Sequence, residues 1–307
     1  MDYFGIIKKS YEITIKHKFL WIFGILAGGY GGIKSFNAGF SNYSFDSSSF
    51  RGDGWTKILG HPLGSADIAA FWTNYGGIII GTALILFIIT VAFFILNLIS
   101  QGALVSSVDK ISAGQKANFK EGFRLGAKQF WRIWAVAIIY LLMILASLSV
   151  WIIPIGVLVI TGANMIAAIW GILLFFVCLA FWILIGIISP YSLRVVVLEK
   201  KSIWQSIRQS LHFFRDNWVS VLLMYLLLLA LGIAFGLALA LGILITVAIL
   251  LAIGYGLYLA TLIGAIIYGA IVGFAVLIAI AVISGAYNTF YSSALTLTYN
   301  HLAKKSS

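Results

Sequence analysis

Four long stretches of this sequence contain no Asp, Glu, Lys or Arg, and they constrain the fold more than any other feature. They cover residues 19–33, 68–108, 133–193 and 217–303. One charge at the centre of a bilayer costs roughly 2.5–3.5 kcal/mol on insertion scales, so a lipid environment selects for stretches of this kind. The sequence therefore predicts an all-α, polytopic transmembrane helical bundle, with residues 1–307 forming a single membrane domain.

Composition excludes an ordinary soluble protein. Hydrophobic residues make up 62% of the chain and charged residues 9%, whereas soluble domains carry about 25% charged residues. The net charge of +11 could indicate nucleic-acid binding. However, the cations lie only between the apolar stretches, so we expect membrane lipids as partners and no nucleic acid.

The apolar stretches predict about six spans, because a helix needs roughly 20 apolar residues to cross a hydrocarbon core of about 30 Å. The first span begins at Phe19; the others lie at 77–99, 133–159 and 164–189, with two more in 218–299. Pro190 is expected to end the fourth span, and Gly254-Tyr255-Gly256 to separate the last two. Four helices within 218–299, giving eight spans in all, are the alternative.

Orientation follows from the distribution of the cations. Residues 34–75 read as an irregular, non-cytoplasmic loop rich in Ser, Asn and Gly. An even number of spans returns the C-terminus to the side of the N-terminus, and 17 of the 20 Lys and Arg then share that side (all except Lys34, Arg51 and Lys57). Positive charge favours the cytoplasmic side. We therefore expect a multi-pass protein of the bacterial inner (plasma) membrane with both termini in the cytoplasm.

Three basic amphipathic segments suggest an internal repeat. Their apolar stripes are Phe4, Ile7, Tyr11 and Ile15, then Phe119, Phe123, Phe130 and Trp134, then Ile203, Ile207, Leu211, Phe214 and Trp218. Each segment precedes a pair of apolar stretches, so the sequence predicts a threefold repeat of an amphipathic helix plus a transmembrane hairpin, with units 1-112, 113-201 and 202-307. The alternative is that such echoes arise in any protein built of helical hairpins.

The amphipathic segments also carry the candidate lipid-headgroup contacts. These are Lys8, Lys9, Lys16, Lys116, Lys120, Arg124, Lys128, Arg208 and Arg215. Anionic headgroups contribute about 1 kcal/mol per Lys or Arg near the surface, so we expect binding to anionic lipid. The alternative is that these cations serve only topology and anchoring.

Small residues at i,i+4 spacing permit close contact between membrane helices. The candidate packing positions are Gly24, Gly28, Gly232, Gly236, Gly269 and Gly273. Asn97, Asn164 and Asn288 are the strongest polar groups in the predicted spans, and interhelical hydrogen bonding is their expected use. Neither the glycines nor the asparagines predict a catalytic or ligand-binding site.

No arrangement of residues predicts catalysis, a metal site or a cofactor. The predicted spans contain no Asp, Glu, Lys, Arg or His, so proton coupling is not expected. His61 lies near Asp53 and Asp67, but the spacing fits no ligand motif. Gly254-Tyr255-Gly256 matches a potassium-channel filter poorly, since Ala252 stands where the filter threonine belongs, and we do not predict a channel. The sequence therefore predicts a protein that is not an enzyme.

Several segments resemble a known family. Ile6–Ser10 followed by Phe19–Gly24, the segment Ile207–Trp218 and the segment Ser293–Tyr299 resemble uncharacterised bacterial membrane proteins related to the membrane domain attached to some glycerophosphodiester phosphodiesterases. The resemblance implies a multi-helix inner-membrane protein of unknown function. Enzymes of that family carry catalysis in a separate soluble domain with acidic and histidine ligands, so the resemblance does not imply phosphodiesterase activity here.

Two functions are compatible with these observations. The first is a non-enzymatic membrane protein that acts through anionic-lipid contacts or a membrane partner, with a protein partner or a homo-oligomer left open. The second is a transporter or scramblase of a lipid or hydrophobic solute, which the repeat and the apolar interior favour.

Overall fold

The computed structural model describes residues 2–28 and 65–306, and its regular elements are all helical. In chain order they are α1 (Tyr3–Lys16), α2 (Phe19–Gly28), α3 (Ser65–Ser112), α4 (Phe119–Ile160), α5 (Asn164–Arg194), a π-helix (Val195–Glu199), α6 (Ile203–Asp216), α7 (Trp218–Ala260) and α8 (Leu262–Ser306). This architecture confirms the predicted all-α polytopic bundle.

Five helical stretches are long and apolar enough to cross a membrane. They are Trp72–Ser112, Phe119–Ile160, Asn164–Glu199, Trp218–Tyr255 and Ile266–Ala303. They correspond to the second to sixth predicted spans. The start of the first predicted span forms the short apolar helix α2, and the residues that follow Gly28 lie outside the described part, so that span stays a prediction.

Several predicted boundaries were wrong. Pro190 does not end a helix but lies inside α5, which continues to Arg194. The last two spans separate at Thr261, and Gly254-Tyr255-Gly256 lies within α7. Neighbouring groups in membrane helices can satisfy the backbone around Pro and Gly, which explains why neither interrupts its helix.

The amphipathic segment that starts at Phe119 is also not a separate element. It continues without a break into the span up to Ile160, whereas α1 and α6 each end before the next helix begins. The predicted loop 34–75 is helical from Ser65 onward, and its remainder lies outside the described residues.

The chain divides into two compact units, Gly28–Asn97 and the remainder, Met1–Ala27 with Leu98–Ser307. In the first unit the described residues form the N-terminal part of α3, where large apolar side chains such as Phe87, Ile78 and Phe93 are exposed. This exposure suits a helix surrounded by lipid. All contacts below lie within the second unit.

Much of the core of the second unit lies where the helices meet at one end. We call this region the junction: α1, residues 19–27, 98–112, 119–134, 185–200, α6, residues 218–228 and residues 285–303. Its largest cluster of buried apolar side chains includes Phe23, Leu104, Tyr191, Met224 and Leu295. Ring contacts reinforce it, with centroids 4.7 Å apart for Phe23 and Phe119 and 5.1 Å apart for Phe213 and Tyr299.

Glycines allow two close helix contacts in the junction. A Cβ at Gly24 would overlap the carbonyl oxygen of Gly285, and a Cβ at Gly126 would overlap that of Ile99. Only hydrogen fits at these positions without a shift of backbone. The sequence selected Gly24 but missed Gly126 and Gly285, which are not part of the G-x-x-x-G pairs it considered.

The other candidate packing glycines differ among themselves. Gly28 is buried, and a Cβ at Gly232 would lie 2.6 Å from the Tyr287 hydroxyl oxygen. A Cβ at Gly236, Gly269 or Gly273 would meet no atom within 4 Å. Within the described part of one chain these last three glycines make no close contact, and their role in helix packing stays a prediction.

The distal segments, residues 145–184 and 229–283, form the ends of the two hairpins away from the junction. The α4–α5 connection passes through Gly162, whose φ of +79° favours glycine. Trp151 Nε1 donates to the Gly171 carbonyl at 3.1 Å, and Trp182 Nε1 donates to Ser147 Oγ at 2.8 Å. These bonds join α4 to α5 across an otherwise apolar interface.

Candidate functional site

The amphipathic segments pack on the junction through small residues. The buried i,i+4 pairs are Ser10 and Thr14 in α1, Gly122 and Gly126 in α4, and Ser206 and Ser210 in α6. The four hydroxyls donate to carbonyls of their own helices at 2.7–2.9 Å. Because these hydroxyls are hydrogen-bonded within the protein, serine and threonine allow two helices to approach closely, as glycine does. Sequence reasoning attended to the aromatic stripes and missed these pairs, although their spacing is visible.

All nine candidate lipid-headgroup residues are exposed. They are Lys8, Lys9, Lys16, Lys116, Lys120, Arg124, Lys128, Arg208 and Arg215. The same segments expose large apolar side chains: Phe4 is 83% exposed, Trp131 70% and Trp204 73%. Exposed aromatic residues beside cations are typical of a helix at the membrane interface, where rings enter the headgroup layer and cations remain near phosphates.

Some cations of the junction already have partners in the chain. Lys9 Nζ donates to the Ser112 carbonyl at 3.3 Å. Lys110 pairs with Glu121, and Lys201 pairs with Glu199. Of the nine candidates, Lys9 is thus directed in part toward the protein, where it borders a cavity.

That cavity has a volume of about 640 Å³ and is lined by polar groups from several helices. Carboxylates come from Asp2 before α1, Asp109 in α3 and Glu199 at the end of the π-helix. Asp2 Oδ1 accepts from the Gly5 amide at 2.8 Å, and Asp109 Oδ1 accepts from Asn300 Nδ2 at 2.7 Å. Each of these two carboxylate oxygens therefore already accepts a hydrogen bond within the protein. Within the described residues, no group of three His, Cys, Asp or Glu side chains could hold a metal ion.

Glu199 is the most connected of these carboxylates. It accepts hydrogen bonds from the Tyr299 hydroxyl and from Gln209 Nε2, the latter at 2.8 and 2.9 Å, and pairs with Lys201 Nζ at 2.7 Å. These partners lie on α8, on α6 and in the segment between the π-helix and α6. Glu199 therefore connects the end of the π-helix to α6 and α8.

Arg194 is the clearest departure from the expectation that the spans hold no ionisable group. It is the last residue of α5, lies within the candidate span Asn164–Glu199 and is 3% exposed. Its guanidinium donates to Thr296 Oγ1 at 3.2 Å, to the Pro190 carbonyl at 2.6 Å and to the Ser292 carbonyl at 3.1 Å. The expectation failed because the predicted span stopped at Pro190.

A chain of hydroxyls lies beside Arg194. The oxygens of Tyr140 and Ser192 are 2.6 Å apart, and those of Ser192 and Ser210 are 2.5 Å apart. The chain connects α4, α5 and α6 through buried groups. Asn288 Nδ2 likewise donates to the Gly24 carbonyl at 3.4 Å, joining α8 to α2 as expected for interhelical hydrogen bonding.

Residues 19–300 match a single family along most of the chain. The chain belongs to DUF7544, a family of unknown function. No curated protein and no solved structure matches it. The matched range contains α2 to α7 and most of α8, and so includes Arg194 and Glu199, whereas α1 precedes it.

Proposed function

We propose that this integral membrane protein acts by binding anionic lipid headgroups, or a membrane partner, through the basic faces of α1, residues 116–134 and α6. In this proposal it is not an enzyme. It resides in the bacterial inner membrane with both termini in the cytoplasm, as the distribution of cations favours. We also propose that the protein is related to the membrane domain attached to some glycerophosphodiester phosphodiesterases.

One observation carries the proposal: the nine candidate cations are all exposed, and exposed aromatic side chains accompany them on each segment. Lys120, Arg124 and Lys128 lie on α4 and place like charges at i,i+4 spacing, which is unfavourable in an isolated helix, and Lys116 precedes that helix. Phosphate groups of anionic lipids would remove this repulsion and add about 1 kcal/mol for each cation near the surface.

The test is native mass spectrometry of the protein released from nanodiscs that contain equal amounts of phosphatidylglycerol and phosphatidylcholine. We expect the wild-type protein to retain phosphatidylglycerol preferentially. The triple variant K120Q/R124Q/K128Q should lose most of that preference, by several-fold. Addition of salt should weaken it as well, because exposed charges are screened.

The matched control is K34Q/R51Q/K57Q, which removes the same charge from the three cations predicted to lie on the opposite side. It should retain the wild-type preference. Equal retention of the two lipids by the wild-type protein, or equal loss in both triple variants, would contradict the proposal.

A second candidate is a transporter or scramblase of a lipid or hydrophobic solute. Two apolar grooves in the distal segments favour it. One, of about 700 Å³, lies between α4 and α5 and includes Trp151 and Phe176; the other, of about 380 Å³, lies between α7 and α8 and includes Phe235 and Ile283. Both would accept acyl chains. Vesicles containing the protein should then move a labelled lipid between leaflets, and the absence of movement would reject this candidate.

A further inference from the structure

Arg194 poses a problem of charge that its hydrogen bonds do not solve. Its acceptors are two backbone carbonyls and the hydroxyls of Thr296 and Ser292. All are neutral. Among the residues whose side chains the structure describes, no carboxylate pairs with Arg194. Neutral dipoles stabilise a guanidinium but leave its full charge in the protein interior, where an ion pays a desolvation penalty of several kcal/mol.

Tyr191 presents a second problem at the same place. It lies one turn before Arg194 on α5, is fully buried, and its hydroxyl has no hydrogen-bond partner among the described atoms. Residues three apart lie on the same face of a helix, so Tyr191 and Arg194 share one face of α5. The Tyr225 ring packs against the Tyr191 ring, with centroids 6.1 Å apart. A buried hydroxyl without a partner costs about 1–3 kcal/mol, and such a group in a native protein calls for a bound water or ion.

A negatively charged acceptor would solve both problems together. It would neutralise Arg194 and accept the proton that the Tyr191 hydroxyl offers. A water molecule would satisfy only the hydroxyl. Arg194 is 3% exposed and Tyr191 is fully buried, so a ligand that reaches both has to be small; a lipid headgroup or a phosphate ester would need these side chains to be accessible.

We propose that Arg194 and Tyr191 form a binding site for a small inorganic anion of the halide class. Chloride is the abundant member of this class. The site lies where α5 meets α8 and α7, since Ser292 and Thr296 come from α8 and Tyr225 from α7. The π-helix begins at the next residue, and π-helical turns are frequent at functional sites.

The anion is expected to stabilise the fold, because a ligand that binds only the folded state raises its stability with concentration. Cys178 provides the readout: it is the only cysteine and is 6% exposed, so a fluorogenic maleimide reacts with it on unfolding. The full chain in a non-ionic detergent is heated in sodium chloride or in sodium gluconate of equal ionic strength. We expect chloride to raise Tm by about 2–4 °C and to saturate.

Three variants locate the effect. Y191F removes one hydroxyl and keeps the guanidinium, so it should need at least about tenfold more chloride for the same shift, since a tenfold change corresponds to one hydrogen bond of about 1.4 kcal/mol. R194M should show no response to chloride. K18Q removes an exposed cation that is not among the nine lipid-headgroup candidates, and it should respond as the wild-type protein does.

The outcomes are decisive even if R194M does not fold, because Y191F retains the buried charge and changes a single atom. Equal Tm values for the wild-type protein in chloride and gluconate would overturn the proposal. So would an unchanged chloride response in Y191F. A shift that sulfate reproduces would be a general salt effect and would overturn it too. None of these outcomes bears on lipid binding by the exposed cations.

Discussion

The junction and the distal segments are parts of the same hairpins, yet the junction buries polar as well as apolar side chains, whereas the distal segments expose large apolar ones. In the junction, Ser100, Ser192, Thr289 and Thr298 are fully buried. In the distal segments, large apolar residues such as Leu237 are exposed. Lipid tails are as apolar as leucine, so helices gain little there by hiding leucine from lipid. Close contacts through small residues and interhelical hydrogen bonds therefore hold the junction together, and the distal segments are built mainly to suit lipid.

The strongest test of this contrast is a pair of glycine variants. G126A places a methyl group against the Ile99 carbonyl oxygen in the junction, whereas G269A places one in open space in a distal segment. Overpacking against backbone should lower the free energy of unfolding of G126A by about 3 kcal/mol. G269A should be unchanged or up to about 1 kcal/mol more stable, because alanine favours helix more than glycine does.

Thermal unfolding in detergent micelles, reported by Cys178, measures both variants. A G126A protein as stable as the wild type would mean that the helices of the junction can separate at no cost. The junction would then differ from the distal segments in composition only.

A second test uses two neighbouring leucines of α7. Leu228 is 2% exposed and packs on the junction core, while Leu229 is 61% exposed. L228A should lower the free energy of unfolding by about 2 kcal/mol. This value is near the low end for buried leucines, because lipid or detergent replaces water around the unfolded helix. L229A should change stability by less than about 0.5 kcal/mol. Equal effects of the two variants would mean that α7 does not pack on the junction by this face.

The smallest change in stability is expected for a variant in the chain of hydroxyls formed by Tyr140, Ser192 and Ser210. Y140F removes the bond between Tyr140 and Ser192 and should cost about 1 kcal/mol. Y258F, at an exposed position of α7, is the matched control and should be neutral. Because hydrogen bonds between membrane helices average about 0.6 kcal/mol, the difference has to be measured at equilibrium in mild denaturant. No difference between the two variants would show that the chain of hydroxyls is incidental to stability.

The same contrast explains what the sequence could reveal. The charge-free stretches are a property of the lipid-facing surface, so they predicted the membrane class, the helical hairpins and the places of the amphipathic segments. The exposure of the cations could also be predicted from the sequence, because charged residues near the ends of spans are disfavoured in the hydrocarbon layer and lie at its surface.

Packing inside the junction was harder to predict, because it depends on which helices meet. Gly122 and Gly126 form a G-x-x-x-G pair, but the spacing does not tell which helix they contact. The positions of Gly126 against Ile99 and of Gly285 against Gly24 show it. Arg194 was missed because Pro190 suggested the end of a helix, although proline inside a membrane helix is tolerated when neighbours satisfy the freed carbonyl. The Arg194 side chain donates to the Pro190 carbonyl, which is a different group from the Gly186 carbonyl that the missing proline N–H leaves free.

The unbroken length of α4 has a mechanical consequence. Its 42 residues span about 63 Å, roughly twice the thickness of the hydrocarbon layer, and its first four turns carry Lys120, Arg124 and Lys128. At α1 and α6, by contrast, a break separates the basic helix from the apolar helix that follows. A basic helix with such a break can follow the bilayer surface while the next helix keeps its tilt. In α4, thinning or bending of the bilayer acts on a helix that has no proline between Phe119 and Pro154, so the basic and apolar turns before Pro154 would rotate together when the membrane changes shape.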